Sequence, residues 1–330
     1  MLTVPGFTWS RPTSLEAALA EIAGTDRGDV LVIAGGTDAV PNLKHRLHEP
    51  KRIVHLASVR ELRKVREQPA GLELGALVRL SEIAGDARII RDYPAVARAA
   101  SQVASPQIRN MGTIGGNLCL DTRCTYYNQT FFWREALGFC LKKDGTRCHV
   151  VTQGKRCVAA HSSDVAPMLI ALGATVEIAN ASGRRMIAVE DFFVGDGIHN
   201  NVLGSGDLVT RIVLPAASRG LPMAYQKLRP RAAIDFPMLS VAACGAASGG
   251  LIEALTVVVS ALGAKPRTLG QMDAIAKGQA VGEPVWEAVA QAAHKQCRPL
   301  TNVPYDPDWR HEMVPVFVRR VLREAFGGPR

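Results

Sequence analysis

The chain has 330 residues, 47% of them hydrophobic and 21% charged, with 30 Gly and 19 Pro, which excludes an intrinsically disordered chain or a fibrous repeat and suits two or three domains. Lys and Arg outnumber Asp and Glu by 39 to 30, a net +9. No helix-turn-helix, RNA-binding or zinc-finger signature accompanies that charge, so no nucleic-acid partner is expected. No export signal is read at the N-terminus. The longest nearly uncharged stretch, Val241 to Ala264, carries Ser248, Gly249, Gly250 and Glu253, as a buried hairpin would and a bilayer span would not. The expectation is a cytoplasmic protein without a membrane partner.

In chain order, Thr13-Ser14-Leu15-Glu16 opens a helix with apolar Leu15, Ala18, Leu19 and Ile22. Val30 to Ile33 reads as a buried strand ending in Ala34-Gly35-Gly36-Thr37-Asp38, and Arg52 to Leu56 as a second strand. Lys44 to Arg66 holds eight bases and two acids, a solvated face or a docking surface for an acidic partner. Leu72 to Ala76 reads as a strand and Tyr93 to Val103 as an Ala-rich helix, before Thr113-Ile114-Gly115-Gly116-Asn117. After a cysteine-rich stretch come Ser163-Asp164-Val165-Ala166-Pro167, a helix at Met168 to Leu172, and strands at Ala174 to Ile178 and Leu208 to Leu214. The last region offers a strand at Met223 to Arg229, a hairpin of Ser240 to Ala247 with Leu251 to Leu262, then helices. The implied domains are 1–60, 61–220 with an insertion at about 120–160, and 221–330.

A strand followed by Gly-Gly-Thr presents consecutive backbone N–H groups with no Cβ in the way, a nest suited to phosphate oxygens. The second Gly-Gly turn repeats that chemistry, so the pair can embrace a diphosphate from two sides. GxGxxG, Walker A and HExxH motifs are absent, against a Rossmann or P-loop enzyme or a zincin.

Five of the seven cysteines, Cys119, Cys124, Cys140, Cys148 and Cys157, lie within 39 residues. In a cytoplasmic chain such thiols are metal ligands or reactive groups rather than a disulfide framework. Four thiolates suit zinc or an iron–sulfur cluster. The spacing Cys124-x15-Cys140-x7-Cys148-x8-Cys157 has neither the CxxC pairs of structural zinc nor a ferredoxin CxxCxxC run, so it does not choose the metal. His161 is read as a packing residue.

Several motifs in one order resemble the FAD-binding medium subunits of the xanthine oxidase family of molybdenum hydroxylases: Phe7 and Pro12, Ala34–Asp38, Thr113–Asn117, Ser163–Ala174 and Lys227–Pro237. The resemblance implies an α+β fold of the p-cresol methylhydroxylase type, with two α/β subdomains binding FAD and a C-terminal domain of a small antiparallel sheet and helices. It implies that Ile33, Ala34, Gly35, Gly36, Thr37 and Asp38, with Thr113, Gly115, Gly116 and Asn117, hold the FAD pyrophosphate. Asp164 would meet the ribityl or phosphate region, and Lys227 the isoalloxazine ring, where a cation favours reduced flavin.

From Asn117 to Ser163 this chain takes 45 intervening residues, far more than most relatives. Leu118 to Arg134 resembles the same loop in the beta subunits of 4-hydroxybenzoyl-CoA reductases, which carry an additional 4Fe–4S cluster. By that resemblance Cys124, Cys140, Cys148 and Cys157 are cluster ligands and Cys119 is structural, with an exchange of Cys119 for Cys124 left open. Tyr126, Tyr127, Phe131, Phe132 and Trp133 pack and shield the loop. Beside a flavin, a one-electron carrier explains four thiolates better than redox-inert zinc does. The implied partners are a molybdopterin-binding large subunit and a 2Fe–2S small subunit in a dimer of heterotrimers, with ferredoxin as electron donor for reductive dehydroxylation of an aromatic acyl-CoA. The alternative is a hydroxylase or dehydrogenase subunit with structural zinc and outward electron flow.

Overall fold

The computed structural model describes residues 2–26 and 28–327. Its first sheet is parallel, in the order β1 (Thr8–Ser10), β3 (Arg52–His55), β2 (Val30–Ile33). The helix Leu15–Ile22, capped by the Ser14 side chain on Ala17 N–H, buries Leu15, Ala18 and Ile22 against Val54 and Leu56. Strand β1 was not legible: it has three residues, and Trp9 lies half exposed although it pairs with Ile53.

The second sheet runs β4 (Val65–Gln68), β5 (Gly71–Gly75), β8 (Leu208–Pro215), β6 (Thr175–Asn180), β7 (Gly183–Ala188), with every neighbour antiparallel. The Ala-rich segment forms the helix Pro94–Ser101, which starts at Pro94 because proline suits the first helical position. It packs into a core shared with Leu72, Leu74, Val176, Ile178 and Ile212.

The third sheet is antiparallel, in the order β12 (Arg267–Thr268), β11 (Leu251–Ser260), β10 (Leu239–Ser248), β9 (Met223–Leu228). Gly249 and Gly250, at φ of 57° and 79°, form the two-residue turn of the β10–β11 hairpin. Helices Glu283–Gln296 and Pro307–Phe326 cover one face. Tyr225, Ala242, Cys244 and Val258 on the other side join the core of the second sheet, so the two regions share buried surface. Among the described residues no helix is long and apolar enough to cross a membrane.

Candidate functional site

The first glycine turn leaves β2 after buried Ile33, and Gly36 takes a φ of 70° that favours glycine. A Cβ on Gly35 would stand 2.0 Å from the carbonyl oxygen of Met111, and one on Gly112 would stand 3.5 Å from Thr37 Oγ1. The first turn therefore lies directly on the residues that precede the second. There, Thr113 Oγ1 accepts from Gly116 N–H at 3.1 Å and caps the helix Ile114–Leu118. A Cβ on Gly115 would meet Ala76 Cβ at 2.7 Å. Asn117 Oδ1 accepts from Ser163 Oγ at 2.7 Å, tying the second turn to the segment that carries Asp164. Glycine is required at Gly35 and Gly115 because the chain's own backbone and Ala76 occupy the space a side chain would take, which lets the two turns pack closely.

Asp164 and Lys227 meet in one buried network. Lys227 Nζ donates to Asp164 Oδ2 at 2.9 Å, to Asp235 O at 2.7 Å and to Gln102 O at 3.2 Å. Tyr225 donates to Asp164 Oδ1 at 2.8 Å. Burial pushes the Asp164 carboxyl up and the Lys227 ammonium down, and their pairing opposes both shifts. The network fastens β9 to the segment beneath the second glycine turn.

Cys124, Cys140, Cys148 and Cys157 line one pocket with Tyr126, Tyr127, Leu141, Lys142 and His149. Cys148 Sγ accepts from Val151 N–H and Cys157 Sγ from Ala159 N–H, each at 3.4 Å, bonds that suit thiolate sulfur. Burial pushes the Cys124 thiol up to about 11 and raises Cys157 as well, with the neighbouring thiols adding to both effects. A set of thiolates here therefore requires a cation to offset burial and mutual repulsion. Cys119 lies elsewhere: it caps the helix Ile114–Leu118, packs on the main core, and burial pushes it up to about 12. Among the described residues the metal-ligating groups gathered within 4.8 Å of one another are His294, His311 and Glu312, so the four thiols are spread more widely than that.

Three bases that frame this pocket were not singled out from sequence. Arg123 pairs with Asp38 of the first turn, and its guanidinium lies 4.4 Å from the Phe236 ring centre. Its backbone exchanges hydrogen bonds with Ala160, closing the neck of the insertion. Arg134, buried, donates to His45 O at 3.2 Å and Arg46 O at 3.0 Å. Lys142 donates to Asp121 Oδ1 at 2.7 Å and Gly197 O at 2.8 Å, and a Cβ on Gly197 would stand 2.7 Å from Cys157 Sγ. Bases are ordinarily solvated, so sequence gave no signal for these three beyond their closeness to the cysteines. His161 is buried, bonded through Nδ1 to Ser260 Oγ at 2.9 Å. In the basic run from Lys44 to Arg66, Arg46 pairs with Glu49 and Lys51 with Asp29, while Arg52 and Arg63 donate to the carbonyls of Glu21 and Ala57.

Residues 5–217 match the family described as FAD binding domain in molybdopterin dehydrogenase, and residues 223–325 match the CO dehydrogenase flavoprotein C-terminal domain. The chain is 35% identical to the aldehyde oxidoreductase FAD-binding subunit PaoB of Escherichia coli over 250 residues, covering 72% of this chain and 76% of that one. It is 24% identical to the carbon monoxide dehydrogenase medium chain of Hydrogenophaga pseudoflava, over 98% of both. The fold superposes on carbon monoxide dehydrogenase from that organism with a TM-score of 0.81 at 23% identity, over 98% of both chains.

Proposed function

The chain belongs to the family of FAD-binding medium subunits of molybdenum hydroxylases, and from that premise we propose that it is an electron-relay subunit whose insertion adds a 4Fe–4S cluster to the flavin. Bound FAD supplies the ability to exchange electrons singly or in pairs. The observation that carries the proposal is the convergence of Cys124, Cys140, Cys148 and Cys157 on one pocket. Among the described residues no three of these thiols lie within 4.8 Å of one another, whereas a single zinc ion at a Zn–S bond of about 2.3 Å draws four sulfurs to within about 4 Å.

The residues of this chain have divided roles in the proposal. Gly35, Gly36, Thr37, Gly115 and Gly116 would offer backbone N–H groups to the pyrophosphate, with Gly35 and Gly115 letting the turns pack against Met111 and Ala76. Asp38, fixed by Arg123 and Asn42, holds the first turn in place rather than adding free negative charge beside the phosphates. Lys227 offers a fixed cationic centre whose charge Asp164 balances, and it orders the segment from Gln102 to Asp235 around the ring site. Arg123 and Lys142 anchor the neck of the cysteine loop.

We place the substrate chemistry on partner chains, a molybdopterin-binding large subunit and a 2Fe–2S small subunit assembled as a dimer of heterotrimers. Two reactions suit such a relay. The likeness of Leu118–Arg134 to 4-hydroxybenzoyl-CoA reductase loops supports ferredoxin-driven, inward flow for reductive dehydroxylation of an aromatic acyl-CoA. The 35% identity to an aldehyde oxidoreductase subunit supports outward flow from aldehyde oxidation, and the longer stretch of similarity makes it the reaction to test first.

The test is anaerobic co-purification of the chain with its partners, followed by iron, sulfide, zinc and FAD analysis and EPR of the reduced complex. The proposal expects FAD, and iron matched by sulfide beyond what the 2Fe–2S subunit holds. Zinc in place of that extra iron would overturn it. Bleaching of the flavin by an aldehyde, without an acyl-CoA or ferredoxin, would select outward flow.

A further inference from the structure

Just past the helix Pro94–Ser101, three successive carbonyls gather groups from distant parts of the chain. Gln102 O accepts from Lys227 Nζ at 3.2 Å and from Arg229 Nη1 at 3.4 Å. Val103 O accepts from Arg109 Nη1 at 2.8 Å, and Ala104 O from Ile234 N–H at 3.1 Å. Ala104 and Ile234 both hold left-handed φ, of 41° and 59°, which is rare without glycine and most costly for a β-branched residue. The hydrogen bond joins the two strained residues directly, and Ile234 stands 62% exposed. Strain held in place by its surroundings clusters at ligand sites.

The charges at this segment do not balance. Asp164 pairs with Lys227 and Asp235 with Arg231, whereas among the described residues Arg109 and Arg229 pair with no carboxylate. Both are half-buried, and their guanidiniums hang on neighbouring carbonyls. Burial, and then the charge of Arg229, holds Arg109 below the usual arginine range. Of the other groups in this field, exposed Arg98 meets the Gln102 side chain, and burial keeps the Tyr225 hydroxyl protonated. Lys227 has no donor left to offer: all three go to Asp164, Asp235 O and Gln102 O, and Asp164 cancels its charge. Two adjacent guanidiniums without a counter-ion suit an anion.

We infer that Arg109 and Arg229, rather than Lys227, are the cations that hold the negative charge FAD gains on reduction. The inference rests on the reading above that puts the flavin ring at the Lys227 network, and it changes which residues act there. On reduction, an electron pair from the partner chains' redox centres and one proton, at N5, enter the ring. With no second proton the reduced ring keeps one negative charge, spread over N1 and O2. Arg109 and Arg229 offer that charge fixed N–H donors and so favour reduced over oxidised flavin. Lys227 and Asp164, neutral as a pair, hold the segment that positions them.

The experiment is a redox titration of the flavin in the assembled, FAD-loaded complex, read by flavin absorbance and repeated across neutral pH. The wild type is expected to take up one proton per electron pair. Arg109→Met with Arg229→Met is expected to take up two, and to disfavour reduced flavin about tenfold or more, at about 30 mV per tenfold step of a two-electron couple. Arg109→Lys with Arg229→Lys is expected to restore the single proton, because it returns both charges. Both variants keep wild-type FAD content and subunit composition. A lower melting temperature in the Met variant, with wild-type potential and proton count, would overturn the inference by showing that the arginines serve only the carbonyls. Loss of FAD from the Met variant would also overturn it, by placing the arginines on the pyrophosphate. A proton count changed by Lys227→Met but not by the arginine variant would return the role to Lys227. A wild-type complex without FAD would instead remove the reading on which the inference rests.

Discussion

The C-terminal domain and the cysteine insertion solve the same problem with different materials. In the former, Trp286, Val289, Val314, Val318 and Leu322 lie against Val241, Leu255 and Val257 in a broad apolar core. The core of the latter consists of Leu47, Tyr127 and Cys140, with Cys124 packed against it. Both regions bury an arginine. Arg310 donates to the carbonyls of Met238, Ala261 and Leu300, and Arg134 to those of His45 and Arg46. Burial of apolar area at about 25 cal/mol per Å² can hold the first region alone. The second depends on charged side chains that donate to carbonyls, and under the function proposed here its thiols would hold a metal whose binding would also be folding energy.

The comparison is broken most directly by exchanging one residue from each core. Trp286→Ala should destabilise the chain by about 3–5 kcal/mol, the usual cost of truncating a buried aromatic, whether or not iron is bound. Cys140→Ala should lose the insertion's iron and expose residues 141–156 to protease, while the melting transition of the C-terminal domain stays in place. Calorimetry with limited proteolysis measures both. A fall in melting temperature for Cys140→Ala as large as that for Trp286→Ala would show that the insertion is part of the main cooperative unit.

Next in size is Gly35→Ala. The new Cβ would stand 2.0 Å from Met111 O, so one turn must move off the other. The expected result is purified complex with little FAD and wild-type iron, read from flavin absorbance and iron content. Loss of both cofactors together would show that the two sites fold as one.

The two groups of residues were legible in part as groups, and for the same reason: scarce residue types were arranged locally. Gly35–Gly36 and Gly115–Gly116 mark places where backbone must approach closely, and the structure brings these turns into contact. The cysteines were legible because five crowd into a short stretch, although spacing alone did not separate Cys119 from Cys124; the pocket takes in Cys124. Asp164 and Lys227 were each noticed, but not their ion pair, because 62 intervening residues hide a contact set by how β9 docks. Arg134 and Lys142 look like ordinary surface bases until the fold buries them. Strand β7, Gly183–Ala188, was missed because its residues are mostly exposed and show no alternation of apolar and polar side chains.

The arginines sharpen the comparison with a smaller effect. Arg134→Met removes donors from two carbonyls, at about 1–3 kcal/mol for each group left buried and unpaired. Arg310→Met strands carbonyls inside a rigid core and should cost more, seen as a lower melting temperature for the whole chain. Arg134→Met should show chiefly as faster proteolysis of the insertion and weaker iron retention. Equal global destabilisation by the two would erase the distinction between the regions.

The smallest expected effect lies where the two regions meet. His161 follows the neck residue Ala160, and its backbone N–H donates to Gly263 O. Its ring meets Phe193 edge-on at 4.6 Å, and burial lowers its pKa from 6.5 to about 3. The folded chain thus keeps His161 neutral, whereas the unfolded chain takes up a proton as pH falls below about 6.5. More protons bound in the unfolded state mean that the stabilisation is complete above pH 6.5 and is lost as the pH falls toward 3. His161→Gln removes this titration while leaving an amide to reach Ser260. The variant should melt somewhat lower than the wild type at pH 7.5, and the gap should close as both are acidified toward pH 5. A gap that stays constant over that range would mean that His161 is no more sheltered from protons in the folded chain than in the unfolded one.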